Sequence, residues 1–228
     1  PHSHQLTLRG INVGEDVSVI ENGEIGTAVL YKSFGRAVYS YENQQTLNPY
    51  GATVVFEGTD DFAKISLEYK LQVDYKKEKK NLQIRVFAGS FLFNTSNNAR
   101  YNWRLDGQTG AYDYTYDHVF LDRSGLDNVM GQQFAMGYGG FKMPTTYQKA
   151  NQIPMTVGQS NQWLTAVNLK ADVPIPLPVG LFADFGYNAG GTLHYDFGIY
   201  VPLAKDIFEI YFPATKSRPF RAKCSVQS

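Results

Sequence analysis

The sequence FAKISLEYKLQVDY at residues 62–75 decides the fold class. Apolar side chains, from Ala63 to Tyr75, take the odd positions, and polar or charged side chains such as Lys64 and Glu68 take the even positions. This alternation is typical of a β-strand with one apolar and one polar face, because successive side chains of a strand point to opposite sides. It continues for 13 residues, whereas strands of soluble proteins average about 5–6 residues and a tilted membrane-spanning strand needs about 9–11.

The same period of two recurs along the chain and predicts an all-β fold of about twelve strands. Brief turns separate the last four clear segments, which favours an up-and-down antiparallel order. The clearly alternating segments are residues 62–75, 82–93, 163–173, 179–187, 193–201 and 208–212, and the weaker ones are 23–33, 36–42, 50–58, 101–106, 112–120 and 132–143.

The composition excludes several classes of protein. The 228 residues carry 21 basic and 21 acidic side chains, so the basic surface of a nucleic-acid-binding protein is missing. The single cysteine, Cys224, excludes an internal disulfide and a four-cysteine zinc site. The chain contains no run of about 18 apolar residues, so its sequence predicts no transmembrane helix. Closed β-barrels, however, cross membranes with alternating rather than continuous apolar sequence.

The chain shows no linker or shift in composition that would divide it. We predict a β-barrel over residues 23–214, preceded by a weakly patterned tail or remnant of an upstream region at 1–22 and followed by a basic, polar tail at 215–228. Residues 95–100 and 144–161 are predicted to be longer loops. The first residues carry no targeting segment, which predicts a mature chain, a processed product or a piece of a longer chain.

Alternation alone does not distinguish a soluble barrel, with its apolar face inward, from a membrane barrel, with that face outward. Three features favour the membrane barrel: the strands are long, the polar face mixes glycine, aromatic and ionisable residues, and aromatic residues such as Trp163, Tyr187 and Tyr211 cluster near strand ends. We therefore predict an antiparallel up-and-down transmembrane β-barrel of about twelve strands. A soluble antiparallel β-barrel or sandwich that acts as a binding domain remains the alternative.

The assumption of a bilayer fixes the facing of each strand. A Lys or Arg on the lipid side at mid-bilayer costs about 2–4 kcal/mol, so the charged positions of residues 62–75 are expected to face the lumen. The polar residues predicted to face the lumen are Lys64, Glu68, Lys70, Arg85, Lys170, Asp172, Asp184, His194, Asp196 and Glu209. The residues predicted to face lipid are Ile65, Leu67, Leu71, Ile84, Val86, Leu181, Phe185, Phe197 and Ile199.

Three stretches carry a resemblance to a known family: IRVFAGSF at 84–91, YNWRLDGQTGAYDY at 101–114 and DIFEIYFP at 206–213. With residues 163–200, they resemble the C-terminal outer-membrane-barrel-like region of bacterial metallopeptidase-related proteins of the aminopeptidase N type. That region is itself similar to the surface-antigen barrels of outer-membrane protein insertion and two-partner secretion. The resemblance covers about residues 50–214.

Two motifs associated with these proteins are missing. The surface-antigen barrels carry Arg-Gly-Phe/Tyr in a loop folded into the lumen, where residues 107–114 here read GQTGAYDY. The aminopeptidase signature His-Glu-x-x-His is also absent. The resemblance therefore implies that any zinc domain lies outside this chain, and we expect that the chain itself is not an enzyme.

The remaining candidate sites are weak. His2 and His4 form a His-x-His pair without an acidic or cysteine partner, so no metal or cofactor is predicted. Tyr112, Tyr114 and Tyr116 are expected to belong to a girdle or an inward loop, since no basic groove accompanies them. A second group, with His118 near acidic residues and a serine, suggests acyl transfer as in membrane-barrel lipases, although a triad is recognised by geometry and not by sequence order; its other members are Asp117, Asp122 and Ser124.

The predicted function is architectural. The chain is expected to embed in the bacterial outer membrane, with the lipid bilayer as its partner, and to anchor or carry an upstream or separate protein partner, such as a peptidase-like domain, or to assist protein translocation. A barrel of this size is expected to hold a lumen filled by side chains and inward loops. A membrane-barrel lipid hydrolase is the third alternative, and nucleic acid is excluded as a partner.

Overall fold

A computed structural model describes residues 2–21, 24–76, 80–96, 98–123, 133–143, 146–147, 155–156, 158–204, 208–216 and 225–227. Within these ranges the chain forms strands and two short 3-10 turns, Ala99–Tyr101 and Gly110–Tyr112. The strands are, in chain order, β1 (His2–Glu21), β2 (Glu24–Asn43), β3 (Tyr50–Gly58), β4 (Phe62–Asp74), β5 (Asn81–Asn94), β6 (Gln108–Thr109), β7 (Gln133–Ala135), β8 (Thr146–Tyr147), β9 (Met155–Thr156), β10 (Trp163–Asp172), β11 (Gly180–Asn188), β12 (Leu193–Ala204), β13 (Phe208–Lys216) and β14 (Ser225–Gln227).

Nine long strands make an antiparallel up-and-down sheet. They follow the order β1-β2-β3-β4-β5-β10-β11-β12-β13, so each strand pairs with its neighbours along the chain except where residues 95–162 intervene between β5 and β10. The short strands β14, β7 and β6 extend the order beyond β13, and β8 pairs with β9 in a separate hairpin. The predicted all-β, antiparallel up-and-down fold is therefore confirmed.

The described strands form an open sheet and not a closed barrel. Strand β1 lies at one end of the order and β6 at the other, and the described pairings do not join these ends. The predicted closure is thus not part of this structure, and nine long strands stand where about twelve were predicted.

The first hairpin differs most from the sequence prediction. The predicted tail at residues 1–22 contributes β1, which pairs with β2 over 20 residues, from His2↔Asn43 to Glu21↔Glu24. The two weak segments 23–33 and 36–42 are a single strand, β2. The pairing between strands continues through Arg36↔Arg9 and Gly35↔Gly10, because a full ladder of backbone hydrogen bonds does not require clean alternation of the side chains.

Three further predicted strands fall in the segment between β5 and β10. Within their described parts, residues 101–106, 112–120 and 132–143 form one short strand, isolated bridges and the last residues of the two 3-10 turns. We call residues 95–162 the insert. Their aromatic residues alternate with polar ones, but tertiary packing against the sheet decides their conformation, which overrides the local strand preference.

The two faces of the long sheet differ sharply in their surroundings. One face, which we call the inner face, packs against the insert and carries Lys64, Arg85, Asn168 and Asp184. The outer face carries the apolar residues between them and is exposed. Along β11 every even position from Gly180 to Asn188 is buried, while Leu181 and the other odd positions are exposed or half-buried.

The apolar core lies between the inner face and the insert. One cluster joins Trp103, Leu105 and Phe141 of the insert to Phe87 and Leu164 of the sheet. A second cluster joins Tyr101 and Tyr114 of the insert to Val13, Phe34 and Phe62. Among the described residues, no helix has the length and apolar character needed to cross a membrane.

Candidate functional site

Lys64 is the centre of the first polar cluster between the sheet and the insert. Its side chain is 3% exposed. Its ammonium group donates to the hydroxyls of Tyr114 at 2.6 Å and Tyr138 at 2.7 Å, and lies 3.3 Å from the carboxylate of Glu57. The Tyr114 hydroxyl also donates to Glu57. Aromatic rings surround the ammonium group, with centroids within 6.0 Å; they belong to Phe62, Phe91, Trp103, Tyr114 and Tyr138.

This cluster binds the insert to two adjacent strands. Glu57 comes from β3, Lys64 from β4, and the two tyrosines from the insert. A buried ammonium group needs a counter-charge and hydrogen-bond acceptors to offset its loss of water. Because Glu57 and the two hydroxyls supply them, the ammonium group is fully engaged, and the cluster serves to hold the insert in place.

Arg85 on β5 is the centre of a second cluster. Its guanidinium group donates to Glu68 at 2.5 Å, to the Asn168 side chain at 2.7 Å and to the backbone carbonyl of Tyr138 at 2.6 Å. Three donors thus reach two strands and the insert. The planar fork of arginine suits such divergent contacts, which fix the position of the insert backbone on the inner face.

Lys142 of the insert forms the third link, with β11. Its ammonium group lies 2.9 Å from Asp184 and donates to the Gly140 carbonyl at 2.7 Å, and both side chains of the ion pair are fully buried. The Asn168 amide donates to Asp184 at 2.8 Å and to the Gly139 carbonyl at 2.9 Å. Asn168 therefore connects the second and third clusters into one network.

Gly140 allows the insert to approach this network closely. Its φ is +66°, in the left-handed region that glycine adopts without strain. A Cβ atom at this position would lie 2.6 Å from an Arg85 nitrogen and 2.8 Å from the Asn168 oxygen. Glycine is required here for two separate reasons, the backbone angle and the space.

Asp117 of the insert forms ion pairs with Arg9 on β1 and Arg36 on β2. The Thr115 hydroxyl also donates to this carboxylate at 2.6 Å. Partial burial on its own would raise the pKa of Asp117, but the Thr115 hydrogen bond and the two guanidinium groups outweigh it, so the pKa is lowered below its usual value. Together with the pair between Arg100 and Glu15, which is 2.6 Å long, this contact attaches the insert to the first hairpin.

A further ion-pair cluster lies on the inner face of the last strands. Lys170 on β10 and Glu209 on β13 are 2.6 Å apart, and the Tyr211 hydroxyl donates to Glu209. The Tyr200 hydroxyl donates to Asp172 at 2.6 Å. The Lys170–Glu209 and Tyr200–Asp172 contacts cross between strands without the insert, so they stabilise the sheet itself.

The polar residues predicted to face a lumen share the inner face, as their cross-strand pairs Lys70↔Arg85, Asn168↔Asp184 and Asp184↔Asp196 show. Lys70 is the exposed member of this set, and its ammonium group lies 2.6 Å from Glu68. The inner face borders a lumen only if the sheet closes into a barrel. Because the described sheet is open, the lumen-facing role of these residues stays a prediction. The buried members are Lys64, Arg85, Asp184, His194 and Asp196, and the half-buried ones are Glu68, Lys170, Asp172 and Glu209.

The residues predicted to face lipid lie on the outer face. Leu181 is 53% exposed and Leu67 is 48% exposed, although both are large and apolar. The exposed members of the set are Ile65, Leu67, Val86, Leu181 and Ile199, and the half-buried ones are Leu71, Ile84, Phe185 and Phe197.

Two described members of the predicted acyl-transfer group have other neighbours. Asp117 is bound by two arginines, and the ring of His118 packs against Phe120 with 6.2 Å between centroids. Ser124, the predicted nucleophile of the group, lies outside the described residues.

The other candidate groups have tyrosine or carboxylate neighbours. His2 and His4 hydrogen-bond Tyr41 and Tyr39 at 2.9 and 2.8 Å. Within the described ranges, no three His, Cys, Asp or Glu side chains come together in an arrangement that would hold a metal ion. Tyr114 belongs to the apolar core at 3% exposure, Tyr112 is half-buried with the Arg104 guanidinium group 3.3 Å from its ring centroid, and Tyr116 is 60% exposed.

Several residues that connect the sheet to the insert were not identified from the sequence. On β3, Glu57 shares a face with Thr53, and on β2, Arg36 shares a face with Val38. The alternation in these two strands could therefore have indicated that both charged residues lie on the inner face. The other missed residues lie in the insert. They are Lys142, Asp117 and the pair of Arg104 and Asp106, whose charged groups are 2.7 Å apart. Without a periodic element around them, no sequence signal indicates their partners.

Comparison of the chain with family models, curated proteins and solved structures gives no match.

Proposed function

We propose that the chain forms a transmembrane β-barrel of the bacterial outer membrane whose lumen is filled by the insert. In this proposal the outer face contacts lipid, and the inner face with its ion pairs contacts the insert. About twelve strands, including the nine long ones, complete the wall.

The observation that carries the proposal is the inverted distribution of polarity. Lys64 is 3% exposed, whereas the adjacent Ile65 is 39% and Leu67 is 48% exposed. In water, burial of apolar area gains about 25 cal/mol per Å², so a soluble sheet would turn these residues toward its core. The same pattern runs through β4, β5, β10, β11 and β12, which makes a continuous apolar surface of the kind that lipid covers.

Strand length agrees with this setting, whereas the open edge of the described sheet would have to be paired in it. Strands β3, β4, β5, β10, β11, β12 and β13 have 9 to 14 residues, which matches the about 9–11 residues that a tilted strand needs to cross a bilayer. An open edge does not persist in hydrocarbon, because each unpaired backbone group costs several kcal/mol there. The free edge of β1 is therefore expected to be paired in the membrane.

The proposed role is architectural. The insert is attached to the sheet through Lys64, Arg85, Lys142 and Asp117, contacts that fill the inner side rather than leave a wide pore. A wall of this kind would anchor or carry a partner domain or assist protein translocation. The family resemblance of the sequence suggests a peptidase-like domain as the partner. The soluble binding domain and the lipid hydrolase remain outcomes of the tests below.

Flotation with liposomes tests the proposal. Purified chain refolded in detergent is expected to need detergent for solubility and, after detergent removal, to float with phosphatidylcholine vesicles and resist carbonate extraction. The double variant Leu67→Lys/Leu181→Lys is expected to lose insertion, since each lysine near mid-bilayer costs about 2–4 kcal/mol. Leu177→Lys is the matched control, because Leu177 is 60% exposed but lies in the turn between β10 and β11.

A wild-type chain that is monodisperse in plain buffer and does not float would refute the membrane barrel and favour the soluble binding domain. Equal flotation of the double variant and the wild type would refute the proposed facing. Hydrolysis of vesicle lipid that His118→Ala abolishes would favour the hydrolase.

A further inference from the structure

Two cavities lie in line between the inner face and the insert. The first, of about 230 Å³, is lined by residues of β2 to β5 and by the insert, among them Thr53, Ser66 and Tyr112. The second, of about 430 Å³, lies toward the turns that follow β2 and β4, with Asn43, Gln72 and Gln83 in its wall. Together they follow the strands over much of their length.

Arg85 and Met136 line both cavities. They therefore form the wall between the two. Arg85 comes from the sheet and is held by Glu68, Asn168 and the Tyr138 carbonyl, and Met136 comes from the insert. Among the described residues, this arginine and this thioether side chain are the ones that border both spaces.

Cationic side chains predominate in the wall of the second cavity. Lys70, Arg85 and Lys170 line it with side chains that are at least partly accessible, against the single carboxylate of Glu42, whereas the Lys142 side chain in the same wall is fully buried in its pair with Asp184. The carboxylates that pair with these cations, at Glu68, Asp184 and Glu209, lie outside its wall. Cationic side chains around a narrow space raise the local concentration of anions and exclude cations. The first cavity, lined by both signs of charge, has no such bias.

We propose that the two cavities are the halves of one narrow passage for small inorganic anions, with Arg85 and Met136 as its constriction and the accessible cations of the second cavity, Lys70 and Lys170, as its selective entrance. This inference rests on the membrane barrel proposed above, since only a closed wall turns the two cavities into a route across the bilayer. It adds a conducting activity to the architectural role.

Planar-bilayer recording tests the passage, with chloride as the probe. Wild-type protein reconstituted from detergent is expected to give a small conductance in KCl, with a reversal potential shifted toward the chloride equilibrium value under a KCl gradient. Arg85→Ser removes the constriction from the sheet side and is expected to raise the conductance several-fold. Met136→Ala does so from the insert side without removing a buried charge, so it keeps the test valid if Arg85→Ser does not fold.

Two controls separate the passage from other effects. Val86→Ala changes the neighbouring outer-face residue of β5 and is expected to conduct as the wild type does. Lys70→Gln is expected to move the reversal potential toward zero with little change in conductance, because the Lys70 side chain is 61% exposed and leaves the constriction intact.

Flotation is measured on every sample first, so failure of the barrel and failure of the passage are distinguishable. Protein that does not float refutes the membrane barrel. Floating protein whose Arg85→Ser and Met136→Ala variants conduct no more than the wild type overturns the passage. Enlarged conductance without chloride preference overturns the selective entrance.

Discussion

Replacement of Lys64 by methionine removes the charge that holds the insert while approximately keeping the volume of the side chain. In Lys64→Met the carboxylate of Glu57, 7% exposed, loses the ammonium group at 3.3 Å. Two hydroxyls, of Tyr114 and Tyr138, lose their cationic donor at the same time.

The magnitude follows from what remains around Glu57. Loss of one partner of a buried ion pair costs about 3–5 kcal/mol, because the other charge stays buried without compensation. Arg36 lies 3.9 Å from Glu57 and Tyr114 still donates to it, so we expect the lower end, about 3 kcal/mol. The double variant Glu57→Gln/Lys64→Met removes both charges and is expected to recover about 1–3 kcal/mol of that loss, within the range of measured coupling energies.

Fluorescence of Trp103 reports the change. Trp103 is 1% exposed in the insert core, and Trp163→Phe leaves it as the single tryptophan of the chain. Urea titration of detergent-refolded protein gives the free energy of unfolding for the wild type, the single variant and the double variant in this background. A Lys64→Met variant within about 0.5 kcal/mol of the wild type, the range of ordinary surface substitutions, would refute the reasoning. A double variant no more stable than the single one would refute it equally.

Three other perturbations address separate contacts. Because the pKa of Asp117 is lowered in the folded chain, its stabilising contribution is complete above the ordinary carboxyl pKa of 3.8 and is lost as the pH falls through the lower folded value. Proteolysis of the insert should therefore rise below about pH 4. Asp117→Asn should make the insert equally sensitive to protease at neutral pH. Gly140→Ala should lower the free energy of unfolding by more than about 1 kcal/mol, whereas Gly10→Ala, with nothing within 4 Å of its Cβ, should leave it nearly unchanged; equal effects in urea titration would contradict the assignment. Asp184→Asn removes the carboxylate that pairs with the buried Lys142 and should destabilise the fold by about 3 kcal/mol, the lower end for a broken buried pair, because Asp196 on the neighbouring strand also attracts Lys142. A urea midpoint equal to that of the wild type would show that the pair does not hold the insert.

The sheet could be predicted from the sequence because side-chain alternation is a local property. In residues 62–75, 163–173 and 179–187 a single residue step turns a side chain to the other face, so the sequence itself gives the strand and its facing. The boundaries of β4 and β10 agree with these segments within a few residues. The strand β1 was missed because its inner positions, such as Arg9 and Glu15, alternate with residues that are not uniformly apolar.

The insert could not be predicted in the same way. Its conformation depends on partners far along the chain: Asp117 contacts Arg9 across 108 residues, and Lys64 contacts Tyr138 across 74. Such contacts leave no periodic pattern in the sequence. The insert sequence therefore indicated strands where aromatic packing and ion pairs determine an irregular backbone.

The facing of the strands in a bilayer tests the central proposal most directly. In a Cys224→Ser background, single nitroxide labels at residues 65, 66, 67 and 68 of β4 are reconstituted into vesicles, and their collision rates with oxygen and with a water-soluble nickel chelate are compared. The proposal predicts high oxygen and low chelate accessibility at 65 and 67, and low accessibility to both reagents at 66 and 68, under the insert. High chelate accessibility at Ile65 and Leu67 would place the outer face in water and contradict the membrane barrel.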